Sequence, residues 1–267
     1  MSSSPQPILH PQDQPDRNLV VLLLDVSGSM ALADPSGHGT RISQLIRALD
    51  DFLAKGIHED PSVPGSVNRL HINGEIAIGA FQKIGGVAQV HWLPLADKPV
   101  EGNSPFYYAQ EVMGLTPGAR EALTPNGGTP IGEAVEEALD VIERRKNSLF
   151  EDGLTHEFRP NLYLLTDGEA TSSVAPAASR LHIEEAECRV LFWAFGTAEC
   201  KEQDLLALGN AASDYDNLFF LNKLPLATVL KFLNKSLRHQ ATMEKNEPAA
   251  AVYDQMHDLL DEEMRPR

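Results

Sequence analysis

The chain has 267 residues, 42% of them hydrophobic, which is enough apolar material for one large domain with a buried core. Its 22 Lys and Arg residues against 38 Asp and Glu residues give a formal net charge of −16. Nucleic acids and anionic membranes are bound through basic patches, so this balance argues against both as primary partners. The sequence shows no signal-peptide pattern, no apolar run of about 18 residues and only two cysteines, so we expect a cytoplasmic protein.

The N-terminal part combines a polar leader, a buried strand and an oxygen-rich loop. Residues 1–17 are rich in Ser, Pro and Gln, which predicts a flexible leader. Residues 19–24 (LVVLLL) form an uninterrupted apolar run, which is typical of a strand buried on both faces of a parallel sheet. Directly after this run, Asp25, Ser27 and Ser29 supply a carboxylate and two hydroxyls. A polar loop therefore follows the first predicted strand.

The next segments predict a helix, a hairpin and an irregular connection. Residues 41–54 carry apolar side chains at helical spacing, and Thr40 is a candidate N-cap for this helix. Residues 75–82 and 87–93 predict two antiparallel strands that form a hairpin at one edge of a sheet. Residues 94–125 are rich in Pro and Gly and predict an irregular connection.

The second half of the chain alternates helices and strands. The predicted helices cover residues 129–145, 174–187, 202–211 and 226–238. The predicted strands cover residues 161–166, 189–195 and 218–221. This alternation predicts an α/β fold, with a doubly wound, mostly parallel sheet, helices on both faces and one antiparallel edge hairpin.

The C-terminal residues 241–267 form an acidic tail. Apolar residues in it fall near helical spacing between positions 249 and 264, which indicates an amphipathic helix. Such a helix either folds back on the domain or docks on a partner, and a frayed acidic tail is a third interpretation.

Oxygen-bearing side chains stand at the ends of three predicted elements. Asp25, Ser27 and Ser29 follow the first strand, Thr129 opens a helix after two glycines, and Asp167 follows the strand at residues 161–166. Ligands of open α/β sheets bind at the carboxyl ends of strands, where these residues would meet. Oxygen atoms are the ligands of hard cations, so the five residues predict a metal site.

The pattern D-x-S-x-S … T … D-G resembles the metal-ion-dependent adhesion site of the von Willebrand factor A (VWA) family. All five motif positions match: Asp25, Ser27, Ser29, Thr129 and Asp167. The resemblance implies a Rossmann-like VWA fold over about residues 18–240, with residues 94–125 beside the metal face.

The resemblance also implies how the site binds. The hydroxyls of Ser27, Ser29 and Thr129 would contact Mg²⁺, for which Mn²⁺ and Ca²⁺ are substitutes, while Asp25 and Asp167 would act mainly through bound waters. A dication held by neutral oxygens keeps much of its positive field, so an Asp or Glu from a protein partner would complete its coordination shell. We therefore expect a metal-dependent interaction module and no enzyme.

Three functional hypotheses remain open at this stage. The phrases DVSGSM, GGTPIGEA and LLTDGE most resemble the stand-alone bacterial VWA proteins of tellurium-resistance-type operons, which implies an adaptor or scaffold in a stress-response or defence module with a kinase and a PP2C-like phosphatase. The second hypothesis is a partner subunit of an AAA+ ATPase of the chelatase or MoxR type. The third, from another class, is a metal-dependent hydrolase, although no phosphate-binding loop, nucleophile elbow or zinc motif supports an enzyme.

Overall fold

The computed structural model describes residues 17–34, 37, 39–58, 69–101, 104–154, 159–197, 200–221, 233 and 248–254. Within these residues, strands and helices alternate along the chain. The strands are β1 (Asn18–Asp25), β2 (Gly74–Ile84), β3 (Val87–Trp92), β4 (Tyr107–Tyr108), β5 (Asn161–Thr166), β6 (Leu191–Thr197) and β7 (Leu218–Leu221). The helices are α1 (Arg41–Asp51), α2 (Arg69–Asn73), α3 (Pro117–Ala122), α4 (Ile131–Glu151), α5 (Ala175–Ala186) and α6 (Glu202–Leu208).

One sheet has the strand order β3-β2-β1-β5-β6-β7, with β4 paired to β2. Strands β1, β2, β5, β6 and β7 are parallel, whereas β3 and β4 run antiparallel to β2. The chain leaves β1 towards β2 on one side and later returns to β5 on the other side. The carboxyl ends of β1 and β5 therefore flank the switch point at which open α/β sheets bind ligands. The predicted fold class is confirmed.

Two apolar cores cover the two faces of the sheet. Along β1, Val20, Leu22 and Leu24 pack into the core that includes α1, whereas alternate residues such as Leu19 and Leu23 pack into the core that includes α4. Both faces of β1 are thus buried, which is why its sequence is an uninterrupted apolar run rather than an alternating one.

The elements agree closely with the predictions. Thr40 caps α1 as expected, because its hydroxyl accepts a hydrogen bond from the Ser43 backbone amide at 3.3 Å. The strands β5 and β7 have the predicted bounds, and α4 continues one and a half turns past the predicted end. Of the helix predicted at residues 226–238, only the buried Leu233 lies within the described residues.

The segment at residues 94–125 differs from its prediction in two ways: it contains β4 and α3 rather than being irregular throughout, and it lies mostly away from the switch point. Tyr108 in β4 pairs with Glu75 at the amino end of β2. Further along, the Leu115 amide donates a 2.8 Å hydrogen bond to Asp50 near the C-terminal end of α1. Most of its apolar side chains join the core on the α1 face, whereas Phe106 joins the core on the α4 face, and this burial holds the segment against the sheet.

The described part of the acidic tail packs on the domain. Residues 249–254 are helical, and Tyr253 is fully buried with its ring edge-on to Trp193 at a centroid distance of 4.7 Å. The Tyr253 hydroxyl accepts a 2.7 Å hydrogen bond from the Phe192 amide of β6 and donates one to Glu185 of α5. These residues fold back on the domain, and the remainder of the tail lies outside the described residues.

None of the helices in the described part of the chain combines the length and hydropathy needed to cross a bilayer.

Candidate metal centre

The strand β1 delivers Asp25 to the carboxyl end of the sheet, where the following loop folds around its carboxylate. Asp25 Oδ1 accepts a hydrogen bond from the Ser27 amide at 2.8 Å, and Oδ2 accepts one from the Thr166 hydroxyl at 2.6 Å. Sequence reasoning missed Thr166. Its signal is positional, because it is the last residue of the strand paired with β1 and so ends beside Asp25. Both carboxylate oxygens of Asp25 are thus engaged by neutral donors.

The two serines of the loop connect Asp25 with Asp167. A short 3₁₀ turn at Gly28–Ala31 brings the Ser27 and Ser29 hydroxyl oxygens to 2.9 Å from each other. Ser29 donates a 2.7 Å hydrogen bond to Asp167 Oδ1. Ser27 is buried and Ser29 is half-exposed, so this hydroxyl pair leads from the interior to the surface.

Thr129 reaches the same place through the loop that precedes α4. The Gly28 amide donates a 2.9 Å hydrogen bond to the Gly127 carbonyl, which fastens this loop to the serine turn. Gly127 has a φ of +66°, and a Cβ atom there would lie 2.1 Å from the Lys83 carbonyl oxygen, so only glycine fits. A Cβ atom on Gly168 would lie 2.6 Å from the Thr129 hydroxyl oxygen, so that hydroxyl lies directly against the backbone that follows Asp167.

The structure therefore brings the five predicted residues together. Asp25, Ser27, Ser29 and Asp167 form one chain of hydrogen bonds, and Thr129 borders it through Gly168. That these residues bind a metal stays a prediction, whereas their convergence at the switch point is a structural fact.

A buried cation, Arg41, also belongs to this site, and sequence reasoning missed it. Arg41 is the first residue of α1, and its Nη1 lies 2.7 Å from Asp167 Oδ2, with both side chains almost fully buried. The two oxygens of Asp167 are thus divided between a hydroxyl and a guanidinium. The available signal was an arginine on the buried face of an otherwise amphipathic helix directly after the metal loop.

The electrostatics of the site are set mainly by burial. Loss of water raises the pKa of Asp25 from 3.8 to about 6, although the hydrogen bonds from Thr166 and Ser27 oppose the shift and the nearby Asp167 charge adds to it. Arg41 offsets one of the two carboxylates, so the buried group holds one more acidic than basic side chain. An incoming cation would relieve this imbalance.

The donor set fits a small hard cation. It consists of hydroxyl and carboxylate oxygens, which suit Mg²⁺, Mn²⁺ and Ca²⁺. The 2.9 Å separation of the Ser27 and Ser29 hydroxyl oxygens is close to the roughly 3.0 Å between adjacent oxygens in an octahedral Mg²⁺ shell with bonds of about 2.1 Å. The described residues contain no cluster of three or more His, Cys, Asp or Glu side chains that could hold a metal ion. The candidate site therefore differs from metal sites built from such side chains, because three of its five residues contribute hydroxyls.

No protein-family model and no curated protein matches the chain. Solved structures with similar folds exist. Proximal thread matrix protein 1 from the mussel byssus aligns with a TM-score of 0.51 and 14% identity, covering 85% of this chain and 47% of that one. A second structure of that protein, with a zinc-occupied MIDAS motif, aligns with a TM-score of 0.49 and 17% identity over 83% and 46% of the two chains.

A third similar structure is the ArnB paralog VWA2 from Sulfolobus acidocaldarius, with a TM-score of 0.46 and 15% identity over 83% of this chain and 44% of that one. This chain spans less than half the length of these three structures. At such identities the likeness concerns the fold alone. Together with the strand order, it defines a Rossmann-like fold of the VWA type.

Proposed function

We propose that the chain is a metal-dependent protein–protein interaction module. It binds a divalent cation, Mg²⁺, at the carboxyl end of β1 and through that cation an Asp or Glu of a protein partner. The observation that carries this proposal is the hydrogen-bonded chain from Asp25 through Ser27 and Ser29 to Asp167, with the Thr129 hydroxyl beside it.

The hydroxyl side chains and the carboxylate side chains of the site have different roles. The hydroxyl oxygens of Ser27, Ser29 and Thr129 would hold the ion, while Asp25 and Asp167 fix the loop and the Ser29 hydroxyl through the hydrogen bonds described above. When bound, the cation supplies a positive centre for a partner carboxylate. Ser29 is the half-exposed member of the set, so the partner would approach from its side.

A binding function is favoured over catalysis by the way the carboxylates are used. Asp25 accepts hydrogen bonds on both oxygens, and Asp167 is held by Ser29 and Arg41. A general base needs an oxygen within reach of a substrate proton, and these oxygens are already committed to the loop. The metal-dependent hydrolase is therefore the weaker hypothesis.

The wider role is proposed from the sequence resemblance alone. It is an adaptor or scaffold in a bacterial stress-response or defence module with a kinase and a PP2C-like phosphatase. A partner subunit of an AAA+ ATPase is the alternative with the same site chemistry.

The first experiment measures thermal unfolding with Mg²⁺, Mn²⁺, Ca²⁺, Zn²⁺ or EDTA. A cation at a hundredfold excess over its Kd stabilises the folded state by about 2.7 kcal/mol, so we expect a clear rise of Tm for the wild type. The double variant Ser27→Ala/Ser29→Ala should unfold near the wild-type Tm in EDTA and lose most of the rise. Ser179→Ala, an exposed serine on α5, is the matched control and should behave as wild type.

The second experiment tests the partner. Wild type and Asp25→Ala are used as affinity baits in Mg²⁺ and in EDTA, and every acidic residue at the contact of a captured protein is then neutralised. We expect capture only by wild type in Mg²⁺ and loss of capture when one acidic residue is replaced. A partner held equally in all conditions would contradict the proposal, and hydrolytic activity lost in Asp25→Ala would favour the hydrolase.

A further inference from the structure

We propose that Arg41 sets the charge of the candidate metal centre. By neutralising Asp167, it weakens binding of the cation and strengthens binding of a carboxylate to the cation-loaded site. This inference rests on the proposed function, because it concerns the same site, but it assigns a role to a residue outside the five-residue motif.

The geometry fixes Arg41 as an inner partner of Asp167. Its side chain is about 5% exposed and that of Asp167 is fully buried, with 2.7 Å between Nη1 and Oδ2. The backbone also anchors it, because the Arg41 amide donates a 3.1 Å hydrogen bond to the Leu32 carbonyl and Thr40 caps the helix. The guanidinium is therefore held behind Asp167, while Oδ1 of the same carboxylate faces the Ser29 hydroxyl.

The charge of the centre follows from this arrangement. Two ionised carboxylates alone would balance a dication and leave the loaded site neutral. With Arg41 paired to Asp167, the same cation leaves a net positive site, which attracts an anionic ligand. The Arg41 guanidinium and a cation held by the Ser29 hydroxyl would also repel each other, since both are positive and Ser29 and Arg41 bind the two oxygens of the same carboxylate.

The expected sizes follow from Coulomb interactions over a few ångströms at the intermediate dielectric of a protein site. Loss of the Arg41 charge should tighten cation binding by about tenfold or more and weaken carboxylate binding to the loaded site by about fivefold. The two affinities thus change in opposite directions.

A purely structural role gives a different result. If Arg41 only packed α1 against the sheet or oriented Asp167, its replacement would loosen the loop and weaken both affinities together. The sign of the change in cation affinity therefore separates the two roles, and this readout does not depend on any partner.

The experiment titrates Mn²⁺ into the full chain and measures free Mn²⁺ by electron paramagnetic resonance. Acetate is then titrated into the Mn²⁺-loaded protein as the carboxylate probe, with its NMR relaxation as the signal. The variants are Arg41→Gln, which removes the charge, and Arg41→Lys, which keeps it. Arg47→Gln, on an exposed position of the same helix, is the matched control.

We expect Arg41→Gln to bind Mn²⁺ about tenfold more tightly and acetate about fivefold more weakly, while Arg41→Lys and Arg47→Gln stay within about twofold of wild type. Unchanged or weaker Mn²⁺ binding by a folded Arg41→Gln protein overturns the inference. A folded Arg41→Lys protein whose Mn²⁺ affinity differs about tenfold from that of wild type also overturns the inference. This second variant keeps the inference falsifiable even if Arg41→Gln does not fold.

The outcomes also separate this inference from the proposed function. If wild type binds no Mn²⁺, or if Ser27→Ala/Ser29→Ala binds it equally well, the proposed function fails. If Mn²⁺ binding depends on the two serines but does not tighten in Arg41→Gln, only the role of Arg41 fails.

Discussion

The two ends of the central sheet both bury carboxylates, but they pair them differently. At the amino end, Glu75 of β2 receives two hydrogen bonds from Arg145 of α4, at 2.6 and 2.8 Å, and Arg17 lies 3.4 Å away. At the carboxyl end, Asp25 is held by a hydroxyl and an amide, and a single guanidinium serves Asp167.

The difference separates a structural ion network from a candidate binding site. The Glu75 carboxylate is paired with both Arg145 and Arg17. Arg145 also pairs with Glu101, so this network holds α4 against the sheet. The carboxylates of the other end are compensated only in part, and burial raises the pKa of Asp25 to about 6. Helix α4 joins the two ends, because it begins directly after Thr129 and carries Arg145 near its far end.

The largest expected effect comes from breaking the amino-end network. Arg145→Met leaves the Glu75 carboxylate buried with less charge compensation, which costs about 3–5 kcal/mol in the free energy of unfolding. Urea denaturation measures this loss. Arg144→Ala, the exposed neighbour paired with Glu137 at 3.5 Å, is the control and should change little. A loss below about 1 kcal/mol for Arg145→Met would mean that the network contributes little to stability.

A middle-sized effect concerns Glu185, a fourth buried carboxylate, which accepts a hydrogen bond from the Tyr253 hydroxyl. Burial raises its pKa from 4.5 to about 7, so its proton stabilises the folded state below pH 4.5 and this contribution is lost as pH rises through 7. Glu185→Gln should remove this part of the pH dependence, which amounts to at most about 3 kcal/mol.

The measurement is the free energy of unfolding of wild type and Glu185→Gln between pH 4 and 8, in EDTA. The difference between the two curves should change across the window from about pH 4.5 to 7. Glu184→Gln, the neighbouring residue paired with Arg189, is the control and should run parallel to wild type. Parallel curves for Glu185→Gln as well would contradict the prediction.

The smallest effect on stability is expected at Asp25 itself. Asp25→Asn removes an incompletely compensated buried charge, keeps a carbonyl acceptor for the Ser27 amide and presents an NH₂ group from which the Thr166 hydroxyl oxygen can accept. In EDTA the free energy of unfolding should therefore change by less than about 1 kcal/mol. In Mg²⁺ the variant should lack the stabilisation seen for wild type. If Asp25→Asn in EDTA lowered the free energy of unfolding as much as Arg145→Met does, the buried carboxylates at the two ends of the sheet would contribute equally to stability, contrary to the prediction.

The sequence by itself determined the fold class and the five candidate ligands. A short uninterrupted apolar run is typical of a strand covered on both faces, and parallel strands bring their carboxyl ends to one edge. Polar residues placed directly after such strands therefore converge whatever the details of packing. For this reason the amino-acid pattern was sufficient to group Asp25, Ser27, Ser29, Thr129 and Asp167.

The tertiary structure alone decided which residues outside the motif are partners of these carboxylates. Arg41 lies 126 positions from Asp167, and Thr166 lies 141 positions from Asp25. Such contacts depend on the rotation of a helix and the register of two strands, which local patterns do not encode. Helical spacing puts Arg41 on the apolar face of α1, but it does not identify the carboxylate that the guanidinium meets.

The same reason applies to the tail, whose position the sequence left open, and to residues 94–125, whose predicted position was wrong. The tail joins the core through Tyr253, and residues 94–125 follow the α1 face, because each buries apolar side chains against a surface that exists only once the sheet has formed. Local periodicity indicated an apolar face in the tail, whereas the assembled sheet determined where the apolar side chains of both segments were buried.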